Sequence, residues 1–445
     1  FKSLLYHHLI MKITIIFFLS FFFFSTFSAS DTIKSLMNAP LSLTKKGVFE
    51  QIDNSKVTIY KSFHIPFSAN PNLSTLQHYF FRDNFARTPN EFNTYSVQPS
   101  KNPYKFKFDI KENKPIKEQL KKNPILSYLF FENDEVVINE ISPDDKFGKF
   151  LNNKTKLRSQ SMGKSLVSYV LGHAICEGYI DGIDSKIKDW NLIKNTLYEN
   201  HKLIDILNMA SGDQKYVYDS SALINGKYNY DYRGSALYDI DPNSVERNLR
   251  LFFKNKKESK KKYNYNVMNT NLIFNYILFK TGDQFQKILD KTFKEKSKIA
   301  DPVYFYKKDG FEKNGNADPM FYATRFDYLR ISKAIMDDYK NQTCVGKYLK
   351  ELYERKIKKN ISKEIGWKQE PHFNKTYSYG GQFHLDYPGL ENKIIFGMGG
   401  YGGKAILIDV ENSRIVILHA QHYNNKKFKF DHIKLLINPI KNGIN

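Results

Sequence analysis

Short runs of β-branched and aromatic residues, separated by turn residues, fill the last third of the chain and constrain the fold most. The runs are YSYGGQFHL, NKIIF, KAILIDV and RIVILHA. Only three residues, Glu411-Asn412-Ser413, separate the last two runs. Strands joined by turns this tight form hairpins, and hairpins build antiparallel sheets. DEVVINE (Asp134–Glu140) has the same pattern upstream. We therefore expect an antiparallel sheet.

Apolar residues at helical spacing predict helices between these two groups of strands. The predicted helices are a long one from Met162 that ends at Gly178, one over His201–Gly212, one from near Asn269 to Gly282, one over Ala323–Tyr339, and a closing helix in KFDHIKLLINPI. Strands, then helices, then hairpin-joined strands indicate an α+β fold.

The stretch GMGGYGGKA (397–405) contains G-x-G-x-x-G, the spacing found in dinucleotide-binding loops. Such a loop must open a helix, because the helix N-terminus receives the pyrophosphate. Here the strand-like KAILIDV follows directly. We therefore expect these glycines to lie at a sheet edge and to bind no nucleotide.

The N-terminal part has the features of a secretory signal peptide. Lys12 precedes the apolar run Ile13–Phe27, and the small residues Ser28-Ala29-Ser30 follow as a cleavage region. We expect export to the periplasm or medium, with an uncleaved membrane anchor as the alternative. No later run is long and apolar enough to span a bilayer. The expected division is 1–30 (upstream residues and signal peptide), 31–125 (no recognisable motif) and 126–445 (main domain).

Charge and cysteine content give weaker indications. The formal net charge is +22, which can indicate nucleic acid or acidic membrane partners. Because the lysines are spread along the chain and export is expected, we predict no nucleic-acid binding. The two cysteines, Cys176 and Cys344, are too few for a metal site, and either a disulfide or buried free thiols fits them.

Ser161 and Lys164 form an S-x-x-K motif at the start of the predicted long helix. Residues three apart share a helix face. A serine hydroxyl becomes a nucleophile when a neighbouring base removes its proton, and a buried lysine with a lowered pKa can be that base. The alternative is an N-capping serine followed by an exposed lysine.

The surrounding sequence resembles the penicillin-recognising, β-lactamase-related serine hydrolases. The resemblance rests on LRSQSMGKSLVSYVLGHAICEGYIDGIDSKIKDW and LIDILNMASG, and covers about residues 125–425. It is closest to the class C β-lactamase-like branch, which contains esterases and 6-aminohexanoate-oligomer hydrolases. The resemblance implies a β-lactamase/transpeptidase-like fold, with an antiparallel sheet flanked by helices and a helical subdomain.

The family's second motif is a tyrosine in Y-x-[SN] before a helix. Tyr265 in YNYNVMNTNLIF fits this position, with Tyr263 as the alternative if the register slips by two. Val267 stands at the third position, where it lacks the family's hydrogen bond toward the lysine.

The family's third motif, K/H-T-G followed by G-x-x-G, lies on an edge strand. Gly397-Met398-Gly399 and 400–403 occupy these positions. The resemblance implies that Gly399 and Gly400 bind substrate, and that the N–H groups of Gly400 and Ser161 form an oxyanion hole. The usual cation is missing at Gly397.

We therefore expect an exported serine hydrolase that cleaves a small-molecule ester or amide without a metal or cofactor. In this hypothesis Ser161 is the nucleophile, Lys164 the base and Tyr265 the proton shuttle. One alternative, which Val267 and Gly397 favour, is an inactive member that binds peptidoglycan or a protein partner. The other is a basic surface-binding protein, for which charge is the only support.

Overall fold

The structure is a computed structural model that describes residues 93–148, 151–216, 223–224, 227–228, 245–307, 317–359, 376–400, 402–421 and 432–444. The expected signal segment, residues 31–92 and Tyr401 of the glycine-rich stretch lie outside the described residues. Within them, no helix is both long and apolar enough to cross a membrane.

The larger sheet has nine strands in the described part of the chain. In spatial order they are β10 (Ile357–Lys358), β11 (Ser378–Gly380), β12 (Phe383–Leu385), β13 (Ile395–Gly400), β14 (Lys404–Asp409), β15 (Arg414–Ala420), β3 (Ile125–Glu132), β4 (Glu135–Ile141) and β2 (Lys107–Phe108). All neighbours are antiparallel except β2 and β4. The predicted hairpin of KAILIDV and RIVILHA is confirmed as β14 and β15.

A smaller antiparallel sheet lies beside the first long helix. Its order is β1 (Asn93–Val97), β8 (Val303–Lys307), β9 (Ala317–Ala323) and β5 (Leu157–Arg158). A short hairpin joins β6 (Leu223–Ile224) and β7 (Lys227–Tyr228). Residues 93–125 therefore contribute strands to both larger sheets.

Most of the predicted helices are present, with some different bounds. The α-helices are α1 (Lys114–Lys122), α2 (Met162–Cys176), α3 (Leu203–Leu207), α4 (Val245–Asn248), α5 (Met268–Thr281), α6 (Phe285–Leu289), α7 (Arg325–Lys340), α8 (Cys344–Glu354) and α9 (His432–Asn442). Two 3-10 turns span Asn191–Ile193 and Gly282–Gln284, and two π-helical turns span Leu249–Phe253 and Asp290–Lys296. The helix predicted over His201–Gly212 is wrong in length, since Met209 has a left-handed φ of 52° that ends it early.

The main apolar core lies between one face of the larger sheet and the helices around α2. Phe396, Met398 and Ile417 enter it from the sheet, and Leu166 and Val170 from α2. A second core on the opposite face holds Tyr128, Leu407 and Leu436. The side chains of α2 are buried from Met162 to Ala174, so this helix is fixed from all sides. The fold class predicted from the sequence, α+β with an antiparallel sheet flanked by helices, is confirmed.

A disulfide joins Cys176, at the end of α2, to Cys344, at the start of α8. The sequence left disulfide and free thiol open, and the structure shows the disulfide. It links two segments 168 residues apart in sequence, and it anchors the far end of the helix that Ser161 begins.

Candidate active site

Ser161 follows a sharp turn between β5 and α2. Gln160 has a left-handed φ of 50°, a conformation that is uncommon for a residue with a side chain. Ser159 fixes the turn to β9, because its N–H donates to the Phe321 carbonyl at 2.8 Å and its Oγ accepts the Phe321 N–H at 2.9 Å. The small sheet thus determines where Ser161 lies.

Neither half of the N-capping alternative is seen. Ser161 makes no side-chain capping hydrogen bond, and it is partly exposed. Lys164, which that alternative requires to be exposed, is only 3% exposed. The two residues therefore have the surroundings that a nucleophile and a buried base require.

Gly163, inside the S-x-x-K motif, lies where a side chain does not fit. A Cβ at this position would lie under 3.0 Å from the Pro319 carbonyl of β9. Because backbone rather than a mobile side chain blocks the space, the start of α2 packs closely against β9. The motif accordingly needs glycine here for packing.

Tyr265 lies beside the lysine of the motif. Lys164 Nζ is 5.3 Å from the centre of the Tyr265 ring. Tyr263 instead packs on Tyr379, with ring centres 5.2 Å apart. The structure thus brings Lys164 and the Tyr265 ring together, and the choice of Tyr265 over Tyr263 stays a prediction. Their catalytic roles, and that of Ser161, stay predictions.

Val267 takes a structural position at the third place of the tyrosine motif. It is the N-cap residue of α5 and packs against the main core. An apolar side chain therefore fits here, where the family has a hydrogen-bonding one.

A buried carboxylate, which the sequence analysis missed, fixes the segment that carries Tyr265. Asp213 is fully buried and accepts hydrogen bonds from Tyr198 at 2.8 Å and from the amides of Asn269 at 3.0 Å and Asn266 at 3.3 Å. Burial raises its pKa. The alternating asparagines of YNYNVMN were the available signal, but their shared partner lies about 50 positions upstream.

The glycine strand β13 lies against the same turn. A Cβ at Gly400 would lie under 3.0 Å from the Ser159 carbonyl, so the strand passes close to the residues just before Ser161. Gly399 and Gly400 pair with Ala405 and Lys404 of β14. The strand β14 follows where a dinucleotide-binding loop needs a helix, so the described residues of this stretch do not form such a loop.

The expectation of an edge strand needs correction. β12 lies beside β13, but the two strands pair only at His384 and Gly397. Gly399 and Gly400 lie beyond this pairing, so among the described residues the part of β13 next to Ser161 is flanked by a strand on one side only. The break between β11 and β12, a turn at Gly381 and Gln382 with φ of 57° and 69°, keeps β12 short.

Gly397 has no room for the cation that stands at this position in the family that the motifs resemble. A Cβ there would lie under 3.0 Å from the hydroxyl oxygen and ring of Tyr387. Tyr387 is buried, and burial raises its pKa. Lys404 is buried too, with Nζ close to the Gly402 backbone. Tyr387 therefore fills the position itself.

In the described ranges, no group of three or more His, Cys, Asp and Glu side chains is arranged to hold a metal ion.

Solved structures with the same architecture identify the fold. One, provisionally named a 6-aminohexanoate-dimer hydrolase from Bacillus anthracis, superposes with a TM-score of 0.55 at 14% identity, over 85% of this chain and 96% of its own. Another, provisionally named a β-lactamase from Bacteroides dorei, has a TM-score of 0.51 at 14% identity, over 73% of this chain and 96% of its own. The chain has the β-lactamase/transpeptidase-like fold. No protein-family model and no curated protein sequence matches it.

The β-lactamase/transpeptidase-like fold confirms the structural part of the resemblance drawn from the motifs. Identities this low establish architecture and leave activity to the residues of the site.

Proposed function

We propose that the protein is an exported serine hydrolase that cleaves an ester or amide through an acyl-enzyme on Ser161. The observation that carries the proposal is that Lys164, buried one turn into α2, lies 5.3 Å from the Tyr265 ring centre, behind a serine without a capping bond. A base and a second proton carrier next to an accessible hydroxyl are the requirements of acyl transfer.

In the proposed reaction, Ser161 Oγ attacks the carbonyl carbon while Lys164 accepts the hydroxyl proton. The tetrahedral oxyanion receives hydrogen bonds from the Gly400 and Ser161 N–H groups. As the bond to the leaving group breaks, Tyr265 passes a proton to that group and Lys164 reprotonates Tyr265. A water molecule then attacks the acyl-enzyme and releases the acid, and Ser161 regains its proton.

Export is supported by two features of different kinds. The apolar segment 13–27 has the length of the apolar core of a signal peptide, with Lys12 before it and small residues after it. The Cys176–Cys344 disulfide is typical of proteins in oxidising compartments.

We propose uncharged substrates on the acyl side. A cation and hydroxyl that bind a substrate carboxylate contribute about 1.5–3 kcal/mol, or roughly ten- to over a hundredfold in affinity. Gly397 and Met398 supply neither group, and Tyr387 fills the space over Gly397. Short-chain neutral esters, or amides with an uncharged acyl side, fit such a site better than β-lactams.

The test compares hydrolysis of nitrophenyl butyrate with that of nitrocefin, with the Ser161→Ala variant as the blank. We expect Ser161-dependent ester hydrolysis and little nitrocefin cleavage. Efficient Ser161-dependent nitrocefin cleavage with negligible esterase activity would contradict the proposed specificity. Absence of both activities would favour the alternative of a non-catalytic binder of peptidoglycan or protein.

A further inference from the structure

A second buried lysine, outside the three motifs, lies near Tyr265. Lys359 follows β10, is 8% exposed, and has its Nζ 2.9 Å from His384 Nδ1. The same Nζ donates to Thr376 Oγ1. Lysine is almost never fully buried unless its amine has partners, and here two partners hold it in place.

The contact restrains the His384 ring, and the direction of the hydrogen bond depends on whether the Lys359 amine is protonated. Burial, followed by the nearby Lys359, keeps the pKa of His384 well below its usual range, so the ring is neutral near pH 7. Burial also holds the pKa of Lys359 well below its usual range. When the amine is protonated it can only donate, so Nδ1 accepts and the ring proton lies on Nε2. Besides each other, these two groups face the phenols of Tyr263, Tyr265 and Tyr379.

The His384 ring in turn lies along Tyr265. Their ring centres are 6.3 Å apart with the planes 28° apart. Tyr379 stands edge-on to both rings, 6.2 Å from Tyr265 and 5.2 Å from His384. Lys164 Nζ also lies against the Tyr265 ring. The tyrosine is therefore held between the motif lysine and an aromatic group that Lys359 orients.

The backbone connects this group to the glycine strand. His384 is the β12 residue that pairs with Gly397, and side chains of directly opposed residues lie on the same face of a sheet. β12 has three residues and pairs with β13 at one position, so the bond from Lys359 to His384 adds a side-chain restraint to this pairing.

We propose that Lys359 and His384 are positioning residues that hold the Tyr265 ring against Lys164, so that the Tyr265 hydroxyl reaches the leaving group. The inference rests on the proposed function and adds two residues to it. Neither residue exchanges a proton with the substrate. Lys359 is enclosed and engaged by Thr376 and His384, so it is not a substitute for the cation missing at Gly397.

Leaving-group basicity separates this role from a general structural one. A nitrophenolate leaves as a weakly basic anion, whereas an alkoxide is strongly basic and needs a proton as it departs. If the pair positions the proton carrier, its loss must slow alkyl esters more than nitrophenyl esters. If it only maintains the fold, both substrates slow equally.

The experiment measures kcat/KM for nitrophenyl butyrate and ethyl butyrate in Lys359→Met and His384→Phe, each corrected for the fraction of protein that a fluorophosphonate labels. Lys359→Met keeps the chain length without donors, and His384→Phe keeps a ring without the Nδ1 acceptor. We expect kcat/KM for ethyl butyrate to fall roughly tenfold further than for nitrophenyl butyrate. His384→Asn keeps an acceptor near the Nδ1 position but has no ring, so its kcat/KM for ethyl butyrate should be as low as that of His384→Phe.

Two comparisons complete the test. Adding Lys359→Met to Tyr265→Phe should cause little further loss, because the two changes act through one group. Lys146→Met removes another partly buried lysine, whose amine binds the Leu120 and Lys121 carbonyls, and should slow both esters equally or not at all.

Equal losses on both esters in Lys359→Met and His384→Phe, or no loss, would overturn the positioning role and leave the proposed function intact. An unlabelled, inactive wild-type protein would overturn both.

Discussion

At the scale of single residues, the site depends on glycines that leave room for neighbouring backbone. The resemblance implies that Gly399 and Gly400 of β13 bind substrate. The structure adds a reason within the protein, because Gly400 packs against the Ser159 carbonyl and Gly163 against that of Pro319. Such contacts join residues more than 150 positions apart, so no local pattern indicates them.

We predict that Gly400→Ala impairs both catalysis and stability. The added methyl would push the Ser159–Gln160 turn and the Gly400 N–H out of place, so kcat/KM should fall about a hundredfold, the effect of losing an oxyanion-hole donor. Overpacking should lower the free energy of unfolding by about 1–3 kcal/mol. Ester kinetics and urea denaturation measure the two effects.

Gly172→Ala is the matched control. Gly172 lies in α2, away from the turn at Ser161, and a Cβ there would contact the Tyr348 ring of α8. A similar loss of stability with near-normal kcat/KM is expected. Equal catalytic losses in both variants would show that crowding near Ser161 has no special effect.

At the scale of elements, strongly periodic segments were predicted well and short ones poorly. The helix predicted from Met162 to Gly178 is α2, with Gly178 at a left-handed φ of 77° after its end. Only α3 (Leu203–Leu207) forms within the helix predicted over His201–Gly212, and YSYGGQFHL forms two strands, β11 and β12. In both cases left-handed residues interrupt the pattern, and apolar periodicity does not register them.

The disulfide between α2 and α8 supports a prediction about stability. Closing a loop of 168 residues restricts the unfolded chain, so reduction should lower the free energy of unfolding by about 2–5 kcal/mol. Thermal unfolding with and without dithiothreitol measures this. The double variant Cys176→Ser/Cys344→Ser should unfold at the lower temperature in both conditions. A wild-type midpoint that dithiothreitol leaves unchanged would contradict the prediction.

At the scale of the whole molecule, the sequence predicted the fold class and the three motifs but missed the groups that orient them. Asp213 and Lys359 lie far from the motifs in sequence, and His384 lies 13 residues before Gly397. Each is an ordinary polar residue until folding buries it. Residues 93–125 carried no motif, yet they complete both larger sheets. Buried polar partners arise from tertiary packing, which periodicity and spacing do not encode.

Because several histidines are buried, we predict that the free energy of unfolding falls in acid. Burial, Lys404 and Arg325 lower the pKa of His419 to about 3, while an unfolded histidine titrates near 6.5. As the pH falls below about 6.5, the unfolded chain binds a proton that the folded one does not, so stability falls toward pH 3. His173, with a pKa lowered to about 4 by burial, acts in the same direction.

His419→Phe removes one of these groups and keeps the ring against Tyr328, 4.8 Å between centres. Between pH 7.5 and pH 4 the variant should lose about 3 kcal/mol less unfolding free energy than the wild type. Urea denaturation across this pH range measures the difference, and parallel pH profiles for the two proteins would contradict the assigned pKa.

The central claim is that Ser161 carries the acyl group, and intact-mass spectrometry after reaction with a fluorophosphonate tests it most directly. We expect one phosphonyl group per chain, located on Ser161 by peptide mapping and absent from Ser161→Ala. Ser165→Ala is the control and should keep the label, because the Ser165 hydroxyl is buried and donates to the Gln382 carbonyl at 2.6 Å. Full labelling of Ser161→Ala, or no labelling of the folded wild-type protein, would contradict it.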